Sequence, residues 1–226
     1  MIVLGINVFH ADTSACILKD GKIIAACEEE RFTRIKHFTG FPFNSINHCL
    51  NTLRISLNEV DYITVNYNLK YNFLERTKFL FSNLKSSNVL NKLLNIYNKK
   101  SLSDLFIDYF GINCEKKIKF IPHHKAHIAS SFFTSGMEDA VGISIDGTGD
   151  FSSLEISECK NDEINVFSKN IYPHSAGILY QAITQFLGFR KYGDEYKVMA
   201  LAAYGKPNFK KEFEDLIIFK PPYNFE

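Results

Sequence analysis

Apolar positions along this chain follow two periods, short runs suited to strands and three-to-four spacings suited to helices. Residues 2–7 are a continuous apolar run, residues 14–18 follow a polar turn, and residues 22–27 follow the hairpin signal Asp20-Gly21. Residues 62–67 predict a fourth strand, and residues 117–121 a short one closed by Pro122. Residues 140–145, 152–157 and 164–171 predict three more, the last two joined across Lys160 to Glu163. Helical spacing appears after Phe41-Pro42, with Asn44 or Ser45 near the cap and Ile46, Cys49, Leu50 and Leu53 on the apolar face. Further helices are predicted over 123–135, over 175–189 (Ile178, Leu179, Ala182, Ile183, Phe186, Leu187), and from near Asp194.

Residues 68–116 differ in texture, rich in Leu, Phe, Asn and Lys with few glycines. Phe73, Leu74, Phe79, Leu80, Leu84, Leu90, Leu93, Leu94 and Tyr97 predict two or three amphipathic helices, an insertion or cap without visible chemistry. The charge run EEERFTRIKH at 28–37 predicts a solvated loop. Its Arg31, Arg34, Lys36 and His37 around Phe32 also suit an anionic group.

Composition narrows the class. With 226 residues and 46% hydrophobic content, the chain can hold one or two domains. The 26 basic and 25 acidic residues nearly cancel, which argues against nucleic acid or an acidic membrane surface as partner. Cysteines 16, 27, 49, 114 and 159 are scattered, with no CxxC, as expected of reduced thiols in a cytoplasmic protein. The opening MIVLGINVFHADTSA lacks a basic n-region and reads as a strand, not a signal peptide. No apolar run approaches the ~20 residues of a membrane span.

Candidate chemistry concentrates in residues 117–150. On a helix over 123–135, His123 and His127 stand one turn apart on one face, where two imidazoles can reach one metal ion. The next strand delivers Asp146 into DGTGD, a hard ligand beside Gly147, Thr148 and Gly149, whose backbone N–H groups can approach a phosphate. Each piece also has an ordinary reading, a surface histidine pair and a hairpin turn. Asp194 and Glu195 begin a helix at its positive end, with Lys197 inside it.

Taken in order, GINVFHADTSACILKDGKIIAACEEERFTRIKH, then FP and a helix, HHKAH, DGTGD and GDEYKVMALAAYGKP resemble the N-terminal domain of the O-carbamoyltransferases of nodulation-factor and antibiotic biosynthesis. The resemblance covers nearly the whole chain. It implies an α/β, actin/sugar-kinase-like (ribonuclease H-like) fold, a mixed sheet with flanking helices and two βββαβα halves. Here residues 1–139 would be the first subdomain, with the helical insertion at 68–116, and residues 140–226 the start of an incomplete second. It also implies transfer of a carbamoyl group from carbamoyl-adenylate to a hydroxyl of a small molecule or saccharide. A C-terminal part would make that adenylate from ATP and carbamoyl phosphate, the ultimate donor.

The same resemblance implies a divalent, iron-like metal on His123, His127 and Asp146, touching a nucleotide phosphate held by Gly147, Thr148 and Gly149. In actin-like folds the first hairpin turn faces the phosphates. His10 with Asp12, or Asp194 or Glu195, would then serve as base, and Lys36 or Lys197 would neutralise developing charge. Asp12 and Thr13 read equally well as mere turn formers. The family's GLAPYG reads Ala200-Leu201-Ala202-Ala203-Tyr204-Gly205 here, and a later Asp ligand is absent by Glu226. A truncated enzyme needing a partner is therefore expected, with a non-catalytic nucleotide- or metal-binding subunit as the alternative. A sugar-kinase-like phosphotransferase is a weaker third reading, since that chemistry has no use for the histidine pair.

Overall fold

The computed structural model describes residues 1–82, 100–220 and 224–225. The chain forms two compact units, Met1–Asn68 with Thr77–Ile121, and Leu69–Arg76 with Pro122–Glu226.

The first unit is built on a five-stranded mixed sheet. β1 (Ile2–Asn7), β2 (Ser14–Lys19) and β3 (Lys22–Glu28) form an antiparallel meander. β4 (Tyr62–Val65) lies parallel to β1, and β5 (Ile118–Phe120) parallel to β4, giving the order β3-β2-β1-β4-β5. β1 is central, so its apolar run is continuous where an exposed strand would alternate. Leu4, Ile6, Ile17, Ile63 and Val65 join Ile46, Leu50 and Phe106 in one buried core. Each such side chain contributes roughly 1.5–3 kcal/mol.

Among the described residues, four α-helices accompany this unit: α1 (Glu30–Thr33), α2 (Phe43–Leu53), α3 (Phe73–Ser82), which begins in the second unit, and α4 (Leu102–Phe110). α4 has a reciprocal cap between Ser101 and Asp104 and stops at Gly111, which takes the left-handed conformation at φ 68. Among the described residues the order is three strands, α1 and α2, β4, α3 and α4, then β5, so each helical step of the β-β-β-α-β-α expected of an actin-like half holds two helices here.

The second unit contains a like three-stranded antiparallel pattern after its first long helix. β6 (Asp139–Gly149), β7 (Ser152–Lys160) and β8 (Glu163–Ile171) run antiparallel in the order β6-β7-β8. α5 (His123–Ser135) packs Ile128 and Phe132 against Cys159 and Ile164. Gly142 permits that approach, since a Cβ there would stand 2.5 Å from Ile128 Cγ2. α6 (Ala176–Phe186), α7 (Glu195–Ala202), α8 (Lys210–Leu216) and the β9 (Phe219–Lys220) and β10 (Asn224–Phe225) pair follow.

Several expectations need adjustment. The charge run at 28–37 is not simply a solvated loop: it contains α1, and Glu29 is buried with 2% exposure. The cap of α2 is Pro42, with neither Asn44 nor Ser45 in that role, because Glu29 does the capping from outside the helix. The 146–149 stretch, which reads in the sequence as a turn, is strand: β6 continues through Gly149 past a register shift, and the turn falls on Asp150 and Phe151 at φ 49 and 71. The expected boundary at 139/140 lies inside the second unit, because α5 packs onto β6 and β7. Of the helical insertion, α3 and α4 are seen, while Leu84, Leu90, Leu93, Leu94 and Tyr97 lie outside the described residues.

Candidate metal centre

The second unit gathers three donor groups from two elements. His123 is the first residue of α5 and His127 stands one turn later, while Asp146 comes from β6. His123 Nε2 lies 2.8 Å from Asp146 Oδ2 and 3.0 Å from His127 Nε2. The third edge, His127 Nε2 to Asp146 Oδ2, is 3.5 Å. Two ligands about 2.1 Å from one ion stand about 3.0–3.4 Å apart at octahedral to tetrahedral angles, so this triangle has the dimensions to hold a divalent cation. Two imidazoles and one carboxylate form the facial set that suits iron-like metals.

Local structure explains the convergence. Gly149 is buried, and a Cβ on it would lie 2.0 Å from His123 Cδ2, so the ring rests directly on the strand backbone. Gly177, at the start of α6, does the same for Asp146, where a Cβ would meet the carbonyl oxygen at 2.7 Å. Ser175 caps α6 by accepting from Ile178 N–H at 3.1 Å and donates to the Gly147 carbonyl at 2.6 Å. Exposure grades across the donors, from 12% for the His123 side chain to 40% for Asp146 and 55% for His127. Hydrogen bonds from His123 and then His127 hold the Asp146 carboxyl far below the usual carboxylate range, with only burial opposing them strongly.

His124, between the two, faces the interior and is 1% exposed. Its Nε2 donates to the Ser152 carbonyl at 3.0 Å, which leaves Nδ1 to accept from Ser144 Oγ at 2.8 Å. Burial pushes its pKa down, so it stays neutral and structural.

In the first unit, Asp12 Oδ1 lies 2.9 Å from His37 Nδ1, and the His10 carbonyl accepts from Thr13 Oγ1 at 2.9 Å. Both Asp12 and His37 have left-handed backbones, at φ 60 and 56. His10 and Lys36 are exposed. In the second unit, Thr148 is exposed on β6, and Gly147 N–H donates to Asp146 Oδ1 at 2.6 Å. Asp194 pairs with Lys197 at 2.6 Å, and that bond holds the carboxyl below and the ammonium above their ordinary ranges. The Glu195 carbonyl accepts from Tyr180 Oη at 3.3 Å. Sequence reading assigned no part to Glu29, Asp150, Ser175 or Gly177. Asp150 alone carried a visible signal, as the last residue of DGTGD.

Residues 2–220 match the family model described as Carbamoyltransferase N-terminus, and the chain belongs to that family. It is 36% identical to sll1178 of Synechocystis sp. over 92% of this chain and 35% of that protein. It is 35% identical to the nodulation protein NolNO of Sinorhizobium fredii over 89% of this chain and 29% of that protein. The chain thus spans roughly a third of the length of these relatives. Among solved structures, component A of the Acidaminococcus fermentans (R)-2-hydroxyglutaryl-CoA dehydratase aligns at TM-score 0.46 and 13% identity, over 93% of this chain and 71% of that one. Among the described residues, no helix is long and apolar enough to cross a membrane.

Proposed function

We propose that this chain is the acceptor-modifying part of an O-carbamoyltransferase, moving a carbamoyl group from carbamoyl-adenylate to a hydroxyl of a small molecule or saccharide. The observation that carries this reading is the triangle of His123, His127 and Asp146 in a chain of the carbamoyltransferase family. The acceptor oxygen attacks the carbamoyl carbon, the bond from that carbon to the phosphate oxygen breaks, AMP leaves, and the acceptor's proton passes to a base.

His123, His127 and Asp146 would hold a divalent, iron-like ion, which would supply Lewis-acid stabilisation of a phosphoryl or carbonyl oxygen. Around it, the backbone from Gly147 to Gly149 is our candidate for holding the phosphate. Asp194 suits the base role poorly, because Lys197 keeps it ionised and weakly basic. His10 is the other base candidate from the sequence, with Lys36 as the candidate for neutralising developing charge; the Asp12 carboxylate is engaged by His37 instead. ATP and carbamoyl phosphate would feed a separate adenylate-forming part, as the family resemblance implies.

The test is metal content of anaerobically purified protein, together with AMP release from synthetic carbamoyl-adenylate in the presence of polyhydroxylated acceptors. Near-stoichiometric divalent metal and acceptor-dependent AMP release, both lost in His123→Ala/His127→Ala, are expected. A well-folded chain with neither property overturns the reading.

A further inference from the structure

We propose that Asp150, anchored by Arg76, is a positioning residue that sets the metal-binding geometry of His123; this rests on the metal reading above. The problem it addresses is geometric. His123 sits at the very start of α5 and Asp146 lies on β6, so the 2.8 Å approach of their side chains depends on how the helix end is held to the strand.

The helix cannot hold its own end. Its cap is Pro122, which offers no side-chain acceptor, so the first N–H groups need partners from elsewhere. Asp150 Oδ2 accepts from the His123 N–H at 2.9 Å, placing a carboxylate at the positive end of α5. The carboxylate therefore grips the backbone of the ligand residue itself.

That carboxylate is in turn fixed. Its side chain is 4% exposed, and a carboxylate so buried needs a compensating charge. Arg76 Nη2 supplies one at 3.4 Å from Oδ1, with its guanidinium 6.0 Å from the Phe151 ring centroid. The main chain is held as well: the Asp150 carbonyl accepts from Asn72 Nδ2 at 3.0 Å, and Asn72 Oδ1 accepts from Lys169 Nζ. Residues 69–76 thus tie down the β6–β7 turn, and the turn ties down α5. One residue before Asp150, Gly149 lies against the His123 ring. Backbone and ring of the same ligand are thereby fixed by neighbouring residues of one turn.

Outer partners of this kind typically change metal affinity by about 10–100-fold when removed. We would titrate the full chain anaerobically with Co²⁺, recording both affinity and the visible ligand-field spectrum. Wild type, Asp150→Asn, Asp150→Ala, Arg76→Lys, Arg76→Met and His127→Ala would be compared, with thermal melting of each metal-free protein alongside. The expected result is Co²⁺ affinity about 10–100-fold weaker in Asp150→Ala, with a shifted spectrum. Arg76→Met should shift both readouts in the same direction by less, and Arg76→Lys should restore them in part. Should Asp150→Ala fail to fold, Asp150→Asn and Arg76→Met read the same effect. Unchanged affinity and spectrum with a lowered melting temperature would make Asp150 a stability residue only and overturn the inference. Folded wild type that takes up no Co²⁺, or takes it up equally well in His127→Ala, would overturn the metal reading itself.

Discussion

The ring of His123 lies against the backbone of Gly149 so closely that a Cβ at that glycine would stand 2.0 Å from Cδ2 and 2.3 Å from Cγ. Gly149 has no unusual φ, so the demand is for space alone. The Gly149→Ala variant must therefore move the imidazole or push strand and helix apart. Overpacking of this kind costs about 1–3 kcal/mol. We expect a lower urea midpoint and metal affinity reduced at least about tenfold, read by equilibrium unfolding and Co²⁺ titration. Unchanged affinity would show that the ring does not need this seat.

Strand runs and helical spacing made most elements legible, because each is a local pattern. The three side chains that converge in the second unit were legible for the same reason, since an i,i+4 histidine pair and an aspartate ending an apolar run need no knowledge of the fold. What could not be read was the remote capping. α2 and α5 both start after a proline, and in both the missing acceptor is a carboxylate from another element, Glu29 and Asp150 respectively. Glu29 sits in a charge run that looks solvated, and only the folded chain shows it buried. The extension of β6 through Gly149 was hidden because Gly-Thr-Gly reads locally as a turn.

Glu29 offers the clearest stability test. Its Oε1 accepts from Asn44 N–H at 3.1 Å and Nδ2 at 2.7 Å, and its Oε2 from Ser45 N–H and Oγ, each at 2.8 Å. Hydrogen bonds to a charged group contribute about 1.5–3 kcal/mol each, and truncation leaves buried donors unmet. Glu29→Ala should lose about 3 kcal/mol or more by urea unfolding, with Glu29→Gln losing less because it keeps the acceptor oxygen. A loss under about 0.5 kcal/mol, the range of ordinary surface substitutions, would contradict this account.

Cys49 is fully buried, and its thiol donates to the Ala25 carbonyl at 3.8 Å. Burial pushes the thiol from an ordinary 9.0 up to about 11. Because the folded value lies above the unfolded one, the associated stability is complete below pH 9.0 and disappears as pH rises through about 11. Two outcomes follow. Iodoacetamide at pH 8 should leave Cys49 unmodified in native protein and label it in urea, as read by peptide mass. The urea midpoint should also fall more steeply between pH 9 and 11 in wild type than in Cys49→Ala. Equal slopes would remove Cys49 as the cause.

Asp194 and Lys197 make the last case, because the same pair bears on stability and on the choice of base. The hydrogen bond from Lys197 at 2.6 Å holds the Asp194 carboxyl below its ordinary value, and Lys191 N–H reinforces it at 3.0 Å. For a depressed carboxyl, the stability is present above the unfolded value, about 3.9, and is lost as pH falls below it. Asp194→Asn should therefore be less stable than wild type at pH 7, and the two urea midpoints should converge below about pH 4. Added salt should shrink the gap at pH 7, since Lys197 is partly exposed. A carboxylate held ionised in this way has little tendency to take up an acceptor's proton. Transfer by Asp194→Asn should then keep the wild-type pH profile, while His10→Asn should lose its rate. If Asp194→Asn instead removed the acidic limb of the profile and His10→Asn left the rate intact, the base would have to be moved to the start of α7.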